Sequence, residues 1–181
     1  AVALAALRQG LDSGAEQAIA RLASELTIDF DGVHTLLNGE DVSAEIRTSE
    51  VSSAVHLAAD NVAVRRRLVE LQRQIAAGHD IVTEGRDQGT VAFPKAECKI
   101  FLTASREERA RRRFEERLAR GEGVTLEQVL AQQDDRDARD AARPVGALMK
   151  AIDAVEFCTD GLSLDEVVER LERIVRERCQ A

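Results

Sequence analysis

Arginine and aspartate at short, regular spacings are the residues of this chain best able to do chemistry. Gly85-Arg86-Asp87-Gln88-Gly89-Thr90 sets a guanidinium beside a carboxylate inside a glycine-bracketed turn. Such a guanidinium can fork onto a phosphate while the neighbouring carboxylate accepts from a base or sugar donor. A plain strand-to-loop turn carrying an ion pair has the same pattern. Arg136, Asp140 and Arg143 recur at spacings of four and three, which places them on one helix face. Two arginines flanking an aspartate suit a phosphorylated sugar, and an intrahelical salt-bridge ladder has that spacing too. In the third cluster Arg109, Arg111, Arg112 and Arg113 stand among Glu107, Glu108, Glu115 and Glu116. This reads either as a solvated charged helix or as a lid whose arginines close over a polyphosphate. Arg65-Arg66-Arg67 points three ways around a helix, so at most two of them can face one ligand.

The wider composition narrows these options. Only Lys95, Lys99 and Lys150 among the 25 basic residues are lysines. A GC-rich genome enriches arginine, and so does a need for planar forks that match phosphate or carboxylate. Thirty-three acidic residues against 25 basic ones leave a formal charge of −8. That balance opposes broad nucleic-acid binding but permits a local basic cleft for a small anion. His56 and His79 have no matching acid and nucleophile, so each reads as structural. No GxSxG elbow is present, which leaves hydrolase chemistry little support. Cys98, Cys158 and Cys179 form neither a CxxC pair nor a His-rich cluster, so no zinc site or disulfide framework is indicated. No apolar run approaches the roughly 18 residues of a membrane span, and no secretory pattern opens the chain. The expectation is a cytoplasmic, reduced protein without membrane contact.

At 181 residues, 44% apolar and 32% charged, the chain has the length and composition of one globular domain. Helical periodicity marks residues 1–9 and 15–26, with Asp12 and Ser13 as candidate caps of the second. Asp31-Gly32 predicts a hairpin between strands at 27–30 and 33–37, with a third strand at 42–46. Helices follow from Thr48-Ser49-Glu50 to about His56 and from the Asn61 cap to about 77. A buried-type strand at 80–83 runs into the Gly85 turn, the position at which open α/β sheets place ligands. Strands at 99–102 and 155–158 alternate with helices at 106–120, 125–134, 135–143 and 164–179. The alternation predicts a parallel α/β sheet with a small antiparallel insert.

Several stretches together resemble the bacterial cytidylate kinase family of nucleoside monophosphate kinases. They are Leu37-Asn38-Gly39-Glu40-Asp41-Val42-Ser43-Ala44-Glu45-Ile46-Arg47-Thr48, Gly85-Arg86-Asp87-Gln88-Gly89-Thr90-Val91-Ala92-Phe93-Pro94, and Lys99-Ile100-Phe101-Leu102-Thr103-Ala104-Ser105 with the helix after it. Arg136-Asp137-Ala138-Arg139-Asp140-Ala141-Ala142-Arg143 and Ala151-Ile152-Asp153-Ala154 complete a collinear pattern. The resemblance implies one domain over 1–181, a parallel sheet flanked by helices, a monophosphate-binding insert at 27–76 and a lid at 109–120. It implies phosphoryl transfer from ATP to CMP or dCMP with Mg2+, by a monomer whose partners are these small molecules and neither nucleic acid nor membrane. By the same resemblance Arg65 and Asp87 read cytosine, Arg86 and Arg143 hold the CMP phosphate, and Asp140 takes the sugar. Arg136 with Arg109, Arg112 and Arg113 would approach the transferring phosphates.

Departures from that pattern carry expectations of their own. No GxxxxGK[ST] occurs in the sequence, so the loop that cradles ATP phosphates in the family has no counterpart here. The opening AVALAALRQGL resembles a segment well inside the family pattern, after its first two strands. The chain is therefore expected to be a truncated copy that is inactive alone, the alternative being a non-catalytic CMP-binding remnant. A helical interaction protein that pairs with acidic partners is a third reading, and the strand-turn at 80–90 counts against it. His56 stands where the family often has a base-contacting Ser, Gln88 where it has an apolar residue, and Cys158 where an Asp commonly follows the last strand.

Overall fold

The computed structural model describes residues 1–142 and 146–179. The chain forms two compact units, Ala1–Ile81 and Val82–Ala181.

In the first unit the helices α1 (Val2–Arg8), α2 (Glu16–Glu25), α3 (Ser49–Ala59) and α4 (Val62–Ala76) pack on one another, and the unit also holds a three-stranded antiparallel sheet. Its strands are β1 (Ile28–Asp31), β2 (His34–Leu37) and β3 (Glu40–Asp41), in the order β1-β2-β3. The predicted hairpin forms one residue further on: Asp31 ends β1 and pairs with His34, so that Gly32 and Val33, rather than Asp31 and Gly32, are the two turn residues. Gly32 supplies the left-handed backbone, with φ 60°. The unit's core is apolar throughout: Leu4, Ala6, Ile19, Val42 and Val64 are each at most 2% exposed. Asn61 caps α4 by accepting from the Ala63 and Val64 amides. Arg8 reaches over to Glu40 and Glu45 at 2.8 and 2.5 Å, and Glu40 is held below its ordinary carboxylate range by that guanidinium.

Two expectations fail here for local reasons. The third strand is Glu40–Asp41 rather than 42–46, and a 3-10 turn at Glu45–Arg47 follows. The Ser43 hydroxyl accepts from the Thr35 amide at 2.9 Å and so takes a place that a strand carbonyl would fill, ending the ladder. Asp12 and Ser13 do not cap α2, whose N-cap Ala15 makes no side-chain bond. The Asp12 carboxylate instead accepts from the Gly14 amide at 2.9 Å, closing a turn ahead of the helix.

The second unit holds a parallel pair, β4 (Ile100–Thr103) and β5 (Val155–Cys158). With it lie α5 (Arg106–Ala119), α6 (Leu126–Ala141) and α7 (Leu164–Cys179). This is an α/β arrangement with the parallel pairing that the alternation predicts, and the antiparallel sheet of the first unit is the predicted insert. The expected strand at 80–83 forms no ladder, and Val82 is fully exposed at 103%. Its apolar run is strand-like, but a strand exists only through a paired neighbour, and none is present among the described residues. The helices expected at 125–134 and 135–143 are one continuous α6, because Asp134 does not terminate it but turns its carboxylate to Arg106 of α5. Thr125 and Gln128 form the capping box that their spacing predicts.

Candidate active site

Hydrogen bonds tie the strand ends of the second unit to the start of α5, whose later turns line one polar cavity. Thr103 closes β4, and Ser105 caps α5 by accepting from the Glu108 amide. Asp160, just past β5, accepts from the Ser105 amide at 2.8 Å. The first turn of α5 is thereby tied to the carboxyl ends of both parallel strands. Ahead of β4, the Gly85 turn winds into a short π-helical turn at Gln88–Ala92. The Asp87 carbonyl accepts from Val91 and Ala92, and Gln88 folds back so closely that a Cβ on Gly85 would lie 2.9 Å from it. A side chain at this position would have to displace that of Gln88. Lys99 fixes the end of this loop, donating to the Pro94 carbonyl at 2.5 Å and to Asp153 at 2.6 Å.

Between the Gly85 turn, α5 and α6 lies a cavity of about 780 Å3. Its described lining holds seven arginines, namely Arg86, Arg109, Arg112, Arg113, Arg117, Arg120 and Arg136, against the four acids Glu116, Glu122, Asp137 and Asp140. A chain of charge −8 thus concentrates local positive charge in one concave place, which attracts small anions. Arg86 and Asp140 meet across it: Arg86 Nε lies 2.6 Å from Asp140 Oδ2, and the Asp140 side chain is 8% exposed. Arg136 Nε stands 3.9 Å from the same oxygen, as expected of two helix residues four apart.

The remaining arginines differ in how firmly they are held. Arg112 donates to the Thr159 hydroxyl at 3.0 Å and the Thr159 carbonyl at 2.7 Å, and its Nε lies 2.8 Å from Glu108. Arg117 reaches Glu122 at 2.7 Å and Gln132 at 2.8 Å. Arg109 makes one ion pair among the described residues, with Asp137 at 2.8 Å. Arg113 makes no ion pair among the described residues. Glu108 is held below its usual range, by Arg111 first and then Arg112. Asp134 is likewise depressed, through the Arg106 fork.

Of the candidate residues, the structure brings together Arg86, Arg109, Arg112, Arg113, Arg136 and Asp140. Asp87 is buried beside Arg86 but does not line the cavity. Arg65 belongs to the first unit, where its Nη1 donates to the Ala59 carbonyl at 3.4 Å. Arg143 lies outside the described residues. His56 is exposed on α3 and donates from Nδ1 to the Ser53 carbonyl at 2.8 Å, which leaves Nε2 as the acceptor in the neutral ring. Reading the sequence alone passed over Asp137 and Arg117 as cavity residues. A signal for Asp137 exists in the matching three-residue steps Arg106 to Arg109 and Asp134 to Asp137, which allow two rungs of one interhelical ladder.

Thr159 is the hinge of this support. Its hydroxyl donates to the Thr103 carbonyl at 3.1 Å while accepting from Arg112, and the residue is 3% exposed. Thr159→Val keeps the shape and removes both bonds, so an expected loss of about 1–3 kcal/mol follows from the stranded polar partners. The urea midpoint of unfolding checks this, and an unchanged midpoint would exclude the Arg112–Thr159 brace as a structural element.

A basic cavity of this kind, set between the Gly85 turn and two helices of an α/β unit, is suited to phosphorylated ligands. A family model described as cytidylate kinase matches residues 1–177. Among curated relatives, a cytidylate kinase of Rhodopirellula baltica is 45% identical over all of this chain and 79% of its own length. One from Geobacter sp. strain M21 is 44% identical over 98% of this chain and 78% of its own length. One from Vibrio cholerae is 42% identical, over 98% and 80% respectively. The chain belongs to the cytidylate kinase family.

Proposed function

We propose that this chain carries the monophosphate-binding and phosphate-facing parts of an enzyme that transfers the γ-phosphoryl group of ATP to CMP or dCMP. In this reading Arg86, with Arg143, holds the CMP phosphate and Asp140 orients the sugar, while Arg65 and Asp87 contact cytosine. Residues 27–76 form the monophosphate-binding part and 109–120 the lid. A CMP phosphate oxygen attacks the γ-phosphorus as the bond to the ADP oxygen breaks, so both reacting oxygens carry changing negative charge. Arg109, Arg112, Arg113 and Arg136 lower the energy of that charge by fixed position rather than by covalent chemistry. The observation that carries the reading is the Arg86–Asp140 pair in a cavity lined by seven arginines.

Among the described residues no group of three His, Cys, Asp or Glu is placed to hold a metal ion, and Asp137 and Asp140 each face an arginine. These residues do not fit a resident magnesium site, and no step here passes through one. Magnesium enters this reading only as the counter-ion of ATP. No helix among the described residues is long and apolar enough to cross a membrane. We place the protein's work, on soluble nucleotides, in the cytoplasm as a monomer.

A second reading, a CMP-binding chain without turnover of its own, is favoured by the absence of GxxxxGK[ST] from the 181 residues. Surrounding arginines offer point contacts, whereas that loop offers a nest of backbone amides. A coupled ATP-to-ADP assay with CMP on this polypeptide is expected to give no appreciable turnover, while calorimetry gives binding of CMP and none of AMP. Robust turnover would refute the second reading and support the first outright. No heat with either nucleotide would remove both.

A further inference from the structure

We infer that Asp137 is a resident stand-in for ligand phosphate on Arg109, a positioning residue that the incoming anion must displace. The inference rests on the reading of the cavity as a phosphate site.

The argument begins with a ladder between α5 and α6. Its first rung is the fork of Arg106 onto Asp134, at 2.6 and 2.5 Å. The second, one helical step on, is Arg109 to Asp137 at 2.8 Å. Only the second rung lines the cavity. The two rungs differ in kind as well as in place. Arg106 grips both carboxylate oxygens of Asp134, a bidentate geometry that fixes the helices together. Arg109 touches one oxygen of Asp137, and the side chains are 41% and 42% exposed.

Half-exposed, single-contact pairs are worth little, about 0.2–1 kcal/mol. An anion with several negative oxygens outcompetes one carboxylate oxygen at such a guanidinium, and the first rung keeps α5 and α6 together when the second opens. The other cavity arginines with ion partners among the described residues are held differently: Arg120 and Arg136 stand 3.7 and 3.9 Å from Glu116 and Asp140 within their own helices. Arg86 is locked onto an almost buried Asp140, and Arg112 and Arg117 each have two partner residues. Arg113, with no ion pair among the described residues, is already available. Arg109 is thus the cavity guanidinium held at hydrogen-bond distance by a single half-exposed carboxylate of the other helix, which makes it the one released by ligand and Asp137 the group that holds it in place and offsets its charge until then.

Calorimetry with inorganic tripolyphosphate at low ionic strength tests this. Asp137→Asn, which keeps the shape and removes the charge, is expected to tighten tripolyphosphate binding about threefold to fivefold. Its affinity is also expected to fall more steeply with added salt than that of the unaltered chain, because one more cation is left for the ligand to neutralise. In Arg109→Ala the gain from Asp137→Asn is expected to vanish, since the double-mutant cycle isolates that pair. Asp137→Ser serves as a second variant if the first folds poorly by circular dichroism. Equal or weaker binding by both Asp137 variants, with the unaltered chain still binding, overturns the stand-in role and leaves the phosphate reading intact. A gain that persists without Arg109 overturns it too, as an effect of general field. Absence of tripolyphosphate binding in every form overturns the phosphate reading itself.

Discussion

Arg86→Ala is expected to weaken CMP binding about 10- to 150-fold, the equivalent of the ~1.5–3 kcal/mol that a hydrogen bond to a charged group contributes. Two effects act in the same direction. The fork that would meet the phosphate is lost, and Asp140, only 8% exposed, loses its 2.6 Å partner. Arg136, 3.9 Å from the same oxygen, can relieve part of the second effect, which is why the fold should survive the change. Arg86→Lys separates charge from geometry: a point charge on a flexible stem cannot fork, so an intermediate loss is expected. Calorimetric titration with CMP, alongside thermal melts of each variant, makes the measurement. Wild-type affinity in a folded Arg86→Ala chain would remove Arg86 from the phosphate site.

Ile19→Ala tests the other foundation, the apolar core of the first unit. Ile19 is 1% exposed and belongs to one cluster with Leu37 of β2 and Val42 just beyond β3. Truncation there removes buried methyl groups and leaves a cavity, at a cost of about 2–5 kcal/mol. Against a typical total stability of about 5–15 kcal/mol that is a large share. A fall in the urea midpoint of corresponding size is the expected result, with Val33→Ala, at a site 85% exposed, shifting it little. A small effect at Ile19 would show that the helices and hairpin do not share a single packed interior.

Both predictions begin from features with local signatures. The hairpin at Asp31-Gly32, the Asn61 and Ser105 caps and the Thr125 capping box all depend on residues within a few positions of one another. They were legible because a cap or a two-residue turn is decided by near neighbours. The failures have the opposite character. Ser43 ends the β-ladder through a bond to Thr35, Asp134 continues α6 by turning to Arg106 on another helix, and residues 80–83 remain unladdered because pairing needs a neighbour that hydropathy does not supply.

The candidate site divides in the same way. Arg86, Arg109, Arg112, Arg113, Arg136 and Asp140 could be named from residue type, helical spacing and family resemblance. Their electrical condition could not. Which guanidinium is locked to a buried carboxylate, which braces Thr159 across 47 positions of chain, and which leans on a single half-exposed aspartate depends on side chains of separate elements being brought within about 3 Å. Charge type and helical phase are written residue by residue. Pairing between those charges depends on distance in space, and only folding creates that distance.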